Sequence, residues 1–198
     1  DIAHLMSSEV AEAFEPAAAG KGGSSAMPHK RNPVGTTIAL SAAARVPGLV
    51  ATLFAAMVQE QERGVGGWHA EWLTLADLFA LSSGAMAHMA DTLCGLELDP
   101  ARMRANLDLT DGLMMAEAVT QALAEASGRH DAPKIVEAAC KRAVVAGHGL
   151  LEELATDAAI ITWLPRDRLA ALMRPESYLG SAADFVSAVL TTYQREMK

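Results

Sequence analysis

Two long apolar segments dominate the chain: TTIALSAAARVPGLVATLFAAMVQ (residues 36–59) and WHAEWLTLADLFALSSGAMAHMADTLCGL (residues 68–96). Their apolar mass comes from Ala, Leu and Met, which favour helix over strand. The second segment would run about 40 Å as a helix. Helices that are apolar on most faces must be covered on all sides, and a chain of 198 residues is too small to cover two of them. The pattern therefore predicts two helices buried in an oligomeric bundle.

The segments that follow residue 99 are shorter and amphipathic, and Gly or Pro separates most of them. No period-2 strand pattern stands out. We therefore predict an all-α fold with two domains. Residues 1–97 would be the C-terminal part of a central helical-bundle domain, and residues 98–198 a small all-helical C-terminal domain. Helical periodicity is found at residues 100–107, 114–127, 131–147, 149–156, 165–173 and 181–197.

The first residues predict the last turns of a helix over 1–15, with Ile2, Met6 and Val10 on one side. The chain starts in helical rhythm at Asp1, without an initiator Met. We therefore expect it to be part of a longer protein, with further functional residues upstream.

Composition excludes several classes of function. A formal charge of −8 argues against a nucleic-acid partner, because binding to a phosphate backbone needs a basic face. A small anionic ligand needs only a local positive cluster. Cys94 and Cys140 have no C-x-x-C spacing, which predicts buried free thiols in a reducing cytoplasm. We expect no metal or cofactor, and no membrane span, because the most apolar segments fall short of the required length of about 20 residues.

An irregular segment rich in Gly and Pro, residues 16–35, precedes the first long helix. Loops of this length are usually functional lids or disordered linkers. A Gly-rich run before Ser24 leaves backbone N–H groups that can point at an anion. Lys30 and Asn32 add a cation and an amide suited to a carboxylate or an enolate-like oxygen, and Arg31 adds a third donor. A phosphate-binding P-loop is excluded, because the required Gly and Ser/Thr spacing is missing.

The segment Gly23-Ser24-Ser25-x-Met27-Pro28-x-Lys30-x-Asn32 resembles the signature of the fumarase/aspartase superfamily. The resemblance implies that Ser24 is the acid/base that exchanges a proton next to a substrate carboxylate. It also implies that Ser25, Lys30 and Asn32 bind substrate. A serine hydroxyl is too weakly acidic to act alone, so N–H dipoles and cations in a site without water must stabilise its alkoxide.

Two further regions are similar to one branch of this superfamily, the bacterial 3-carboxy-cis,cis-muconate cycloisomerases. Many of the lyases carry a Glu five residues after the motif Asn, paired with a catalytic His, whereas this chain has Thr37. Residues 59–72 end in Trp-His-Ala-Glu-Trp, as in the cycloisomerases. Adenylosuccinate lyase has an Arg for substrate phosphate where Trp72 stands, and an indole cannot replace a guanidinium there. Arg63 is a candidate for a further carboxylate contact, or for an ion pair with a neighbouring Glu.

The resemblance implies reversible lactonisation of a small tricarboxylate in the cytoplasm, by a homotetramer whose active sites are shared between subunits. Two alternatives stay open. One is a fumarate-releasing lyase such as adenylosuccinate lyase. The other is an oligomerising helical fragment that is inactive alone.

Overall fold

The computed structural model describes residues 1–17, 22–24, 26–27 and 29–197, and it divides into two compact units, Asp1–Met103 and Arg104–Lys198. The predicted all-α fold is confirmed, although a two-stranded pairing accompanies the helices. The predicted domain boundary after residue 97 stays a prediction. The first unit contains α1 (Ile2–Leu5), β1 (Ala13–Phe14), α2 (Val34–Ala56), α3 (Gly67–Cys94), β2 (Glu97–Leu98) and the start of α4 (Pro100–Asp108).

Helices α2 and α3 form an antiparallel hairpin. The start of α2 lies against the end of α3, where a Cβ added to Gly35 would meet Thr92. At the other end, a Cβ added to Gly67 would lie 3.2 Å from the carbonyl oxygen of Ala56. Both helices begin and end within three residues of their predicted positions.

Most of the apolar surface of this hairpin is exposed in the single chain. Phe54 on α2 and Leu73 and Phe79 on α3 are 66%, 80% and 70% exposed. The buried positions are few and small: Gly35, Thr36, Ala42 and Ala56 on α2, and Thr74 and Thr92 on α3. The exposed apolar faces of α2 and α3 are the surfaces that the sequence predicts to be covered by other subunits.

The expectation that the apolar segments are too short for a membrane is wrong for α2. This helix has 23 residues, is long and apolar enough to cross a membrane, and contains Arg45 as its one charged residue. Length and composition alone are weak support for a membrane span, because a core helix of an oligomer passes the same test.

The predicted helix over residues 1–15 is also wrong. Helix α1 ends at Leu5, and the chain turns with Ala11 at a φ of 54°. Phe14 then pairs with Glu97, and Ala13 with Leu98, in an antiparallel register. The turn buries Ala13 completely. Helical periodicity over so few residues cannot distinguish a helix from a turn that buries the same apolar side chains.

The N-terminus of α2 is capped by a residue from far back in the chain. Pro33, at the capping position, makes no side-chain hydrogen bond to the helix. Glu15 supplies the acceptors instead: its Oε2 accepts from Gly35 N at 2.9 Å, and its Oε1 from Thr36 N and Thr36 Oγ1, each at 2.8 Å. Glu15 is only 4% exposed. A buried carboxylate at a helix N-terminus is stabilised by these hydrogen bonds and by the helix dipole.

Replacing Gly35 with alanine should destabilise the hairpin. The new Cβ would lie 2.5 Å from Thr92 Oγ1 and 3.3 Å from Glu15 Oε2. Overpacking of this kind costs about 1–3 kcal/mol, to be measured as the free energy of unfolding in denaturant. Because Thr92 Oγ1 is the closest atom, Gly35→Ala should cost less in a Thr92→Ala background.

A matched control is Gly48→Ala, also within α2, where an added Cβ meets nothing within 4 Å. Alanine there should change stability by about 1 kcal/mol or less, in the stabilising direction. An equal loss from Gly35→Ala in both backgrounds would show that Thr92 is not the obstacle.

In the second unit, the regular elements among the described residues up to Met197 are all helices or 3-10 turns. Its core joins apolar side chains that are at most 2% exposed, among them Leu123, Val136, Leu150 and Leu169. Helix α8 was not predicted from the sequence, and Asp157 caps it by accepting from Ala159 N at 3.1 Å. The elements are the rest of α4, α5 (Ala116–Ser127), α6 (Ala132–Ala146), α7 (Leu150–Thr156), α8 (Ala158–Trp163), α9 (Arg166–Leu172), α10 (Ala182–Glu196) and 3-10 turns at Leu113–Met115 and Pro175–Ser177.

The two cysteines are free thiols. Cys140 is partly buried, and burial raises the pKa of its thiol. Cys94, the last residue of α3, is exposed in the single chain, so its predicted burial stays a prediction that depends on the oligomer.

Candidate active site

Ser24 lies in a tight turn of the signature loop, by which we mean residues 16–35. Its Oγ accepts hydrogen bonds from the backbone N–H groups of Ala26, at 3.4 Å, and Met27, at 3.1 Å. Donors that point at a hydroxyl oxygen favour its deprotonated form. The turn therefore provides part of the environment that an acid/base serine requires.

Asn32 closes the loop onto Gly22. Its backbone N–H and its Nδ2 donate to the carbonyl oxygen of Gly22, at 2.8 and 3.1 Å. Gly22 has a φ of 73°, and a Cβ there would lie 2.8 Å from the carbonyl oxygen of Asn32, so only glycine fits. The Lys30 N–H donates to the carbonyl oxygen of Met27 at 3.0 Å. Ser24, Lys30 and Asn32 thus lie in the part of the loop that the contact between Gly22 and Asn32 closes. Ser25 lies outside the described residues.

Lys30 and Asn32 line a cavity of about 390 Å³ between the loop and the N-terminal residues. Ser7 and Ser8 also line it, and sequence reasoning missed them because nothing marks two hydroxyls after a short helix as ligands. The volume is in the range of small-molecule sites. A cation, an amide and hydroxyls suit a small carboxylate. Ser24 is not among the residues that line this cavity.

Arg31 does not point a free guanidinium at a ligand, which corrects its expected role as a third donor. Its two terminal nitrogens donate to both carboxylate oxygens of Glu97, at 2.7 and 2.9 Å. It also donates to the carbonyl oxygen of Glu15, and its guanidinium carbon lies 4.8 Å from the centroid of the Phe14 ring. The hydrogen bonds from Arg31, and next that from Ala17 N, hold the pKa of Glu97 below its usual value.

Thr37 stands where many related lyases have a Glu. Its Oγ1 donates to the carbonyl oxygen of Pro33 at 2.6 Å, within the first turn of α2. The hydroxyl is therefore used by the helix itself. It offers no negative charge with which to orient a histidine.

Arg63 lies at the opposite end of the hairpin, in the turn between α2 and α3. It has a φ of 55°, and its guanidinium carbon lies 5.9 Å from the centroid of the Trp68 ring. The ion pair with Glu60 or Glu62 considered from the sequence is not formed among the described residues. This turn lines a separate cavity of about 440 Å³.

One chain does not bring Arg63 to the signature loop. Helix α2 has 23 residues and separates the two. At 1.5 Å per residue, its length is about 34 Å. Within this chain, Ser24, Lys30 and Asn32 are close together and Arg63 is remote from them.

Two family models match the chain: "Lyase" over residues 1–48, and "Adenylosuccinate lyase C-terminus" over residues 112–189. The chain is 50% identical to the 3-carboxy-cis,cis-muconate cycloisomerase of Bradyrhizobium diazoefficiens over 196 residues, which is 99% of this chain and 44% of that protein. It is 50% identical to the enzyme of the same name from Pseudomonas aeruginosa, over 98% of this chain and 42% of that protein.

A solved structure agrees with these sequence matches. The crystal structure of 3-carboxy-cis,cis-muconate lactonizing enzyme from Pseudomonas putida superposes with a TM-score of 0.89 at 48% identity, over 100% of this chain and 44% of that one. The chain belongs to the fumarase/aspartase superfamily. It spans less than half the length of the superfamily members compared above.

Proposed function

We propose that the protein containing this chain catalyses the reversible lactonisation of 3-carboxy-cis,cis-muconate to 4-carboxymuconolactone, in aromatic-acid breakdown through protocatechuate. The observation that carries the proposal is 50% identity to a cycloisomerase of this name over 99% of the chain. The 196 aligned residues include the signature loop and the turn that carries Arg63.

In the proposed reaction, an oxygen of one substrate carboxylate bonds to a carbon of the conjugated double bond. Negative charge develops on the adjacent carbon, and a neighbouring carboxylate stabilises it. Ser24 gives its proton to that carbon, and takes it back in the reverse direction. Lys30 and Asn32 bind substrate carboxylate, and the N–H groups of Ala26 and Met27 stabilise the serine oxygen.

We propose that the enzyme is a cytoplasmic homotetramer with active sites shared between subunits. The exposed apolar faces of α2 and α3 support this assembly, since a soluble single chain rarely leaves such patches uncovered. The separation between Arg63 and the signature loop supports it as well. If Arg63 contacts substrate, it must do so in a site whose loop comes from a different subunit.

An adenylosuccinate-type lyase is the second candidate, because the C-terminal helices match a model of that name. Trp72 and Thr37 argue against it. A phosphate-bearing substrate needs a cation at the position of Trp72, and the lyase chemistry uses a carboxylate at the position of Thr37.

The full-length protein should convert 3-carboxy-cis,cis-muconate to the lactone and should release no fumarate from adenylosuccinate. Ultraviolet absorbance follows both reactions in the same buffer. The present chain, assayed alone, should be inactive, because it spans less than half the length of the cycloisomerases that it matches. Fumarate release without muconate turnover would exclude the cycloisomerase and favour the lyase.

A further inference from the structure

We propose that Arg31 is a positioning residue: its guanidinium, held by Glu97 and Phe14, sets the positions of Lys30 and Asn32 on either side of it. The proposal rests on the proposed function for the role of Lys30 and Asn32 in binding substrate carboxylate. Arg31 lines the same cavity as Lys30 and Asn32. In this proposal its guanidinium is engaged by Glu97 and by the Glu15 carbonyl oxygen and does not bind the substrate.

The contacts of Arg31 with Glu97 and Phe14, called the anchor below, are directional. The two nitrogens of Arg31 meet the two oxygens of Glu97 at 2.7 and 2.9 Å, a fork that fixes the plane of the guanidinium. The Phe14 ring, 4.8 Å away, adds a cation–π contact. An ordinary exposed ion pair holds no such geometry. Lysine could keep the charge but not the fork.

The anchor also rests on the pairing of two short strands. Phe14 and Glu97 are paired residues of β1 and β2. The Ala17 N–H donates to Glu97 Oε1 at 3.3 Å, and the Glu15 carbonyl oxygen accepts from Arg31. Arg31 thereby ties the exit of the signature loop to its entry.

The contacts of Arg31 restrain the backbone beside the two residues that are predicted to bind substrate. Lys30 and Asn32 are the chain neighbours of Arg31, and consecutive Cα atoms are about 3.8 Å apart. Both line the 390 Å³ cavity. Without the fork, the described residues of this stretch would keep the Lys30–Met27, Asn32–Gly22 and Val34–Asn32 hydrogen bonds and the one from Arg31 to the Glu15 carbonyl oxygen.

Kinetics of the full-length protein distinguish positioning from direct binding. Arg31→Met and Glu97→Gln should each raise KM for 3-carboxy-cis,cis-muconate about tenfold, the effect of losing one good interaction. The double variant should be little worse than either single one, because both changes remove the same fork. If Arg31 bound substrate itself, Glu97→Gln would free its guanidinium and leave KM unchanged or lower, which would overturn the proposal.

A matched control is the Lys141–Glu137 ion pair, a 2.5 Å contact within α6 in the second unit. Lys141→Met and Glu137→Gln should leave KM unchanged. A purely structural role for Arg31 would lower the melting temperature and the fraction of active enzyme with no change in KM, and this result would also refute the positioning role.

Hydrogen exchange tests the anchor without relying on turnover. In Arg31→Met and in Glu97→Gln, the amides of Lys30 and Asn32 should exchange about tenfold faster, the consequence of about 1.4 kcal/mol less protection. The amides of α2 and α3 should be unaffected. Absence of muconate turnover by the wild-type protein would refute only the proposed function. Unchanged amide exchange at Lys30 and Asn32 would refute only the proposal for Arg31.

Discussion

Replacing Ser24 with alanine should lower the turnover of 3-carboxy-cis,cis-muconate by the full-length protein about 10²–10⁴-fold, with a smaller change in KM. The hydroxyl is the proposed proton donor, whereas carboxylate binding is assigned to Lys30 and Asn32. Initial rates over a range of substrate concentrations would separate kcat from KM.

Two control variants make this result specific. Ser24→Thr keeps a hydroxyl that can still accept from the N–H groups of Ala26 and Met27, so it should retain part of the turnover. Ser127→Ala removes a hydroxyl that donates to Leu123 within α5 and should leave kcat unchanged. If Ser24→Ala turned over substrate at nearly the wild-type rate, the acid/base assignment would be wrong.

Glu15→Ala should be among the most destabilising single substitutions in the first unit. It would leave the Gly35 and Thr36 N–H groups buried without their acceptor. Each unpaired buried group costs about 1–3 kcal/mol, so we expect a loss of about 2–5 kcal/mol in the free energy of unfolding. Chemical denaturation followed by circular dichroism would measure it.

The comparison for Glu15 is Glu125→Ala, on the exposed side of α5, which should change stability by about 0.5 kcal/mol or less. A cycle with Thr36→Val tests the cap itself. Because Thr36 Oγ1 donates to the same carboxylate, Glu15→Ala should cost less in the Thr36→Val background. Additive losses would mean that Glu15 stabilises the fold through other contacts.

Helix positions and superfamily membership could be predicted from the sequence. The positions of α2, α3 and most of the second unit follow from apolar composition and local periodicity, which act over one or two turns. The signature motif identified the superfamily because its residues lie within ten positions of one another. The roles of Ser24, Ser25, Lys30, Asn32 and Arg63 stay predictions.

Other features depend on contacts between residues far apart in the chain. Local pattern made residues 1–15 a helix, because the pairing of Phe14 with Glu97 has no local signal. Local pattern also predicted a free donor at Arg31, because the partner of this residue, Glu97, lies 66 positions away. The expectation on membrane length was wrong for a simpler reason, because the helix predicted over residues 36–59 already exceeds the required length of about 20 residues.

One physical cause separates the features that could be predicted from the sequence from those that could not. Helix formation and the turns of the signature motif are driven by neighbours in sequence, so composition and spacing are enough to specify them. Capping α2 with Glu15, and clamping the loop with Arg31 and Glu97, require charges to be desolvated or aligned by chain segments that meet only after folding. No sequence window contains both halves of such an interaction, and so the tertiary structure alone determined them.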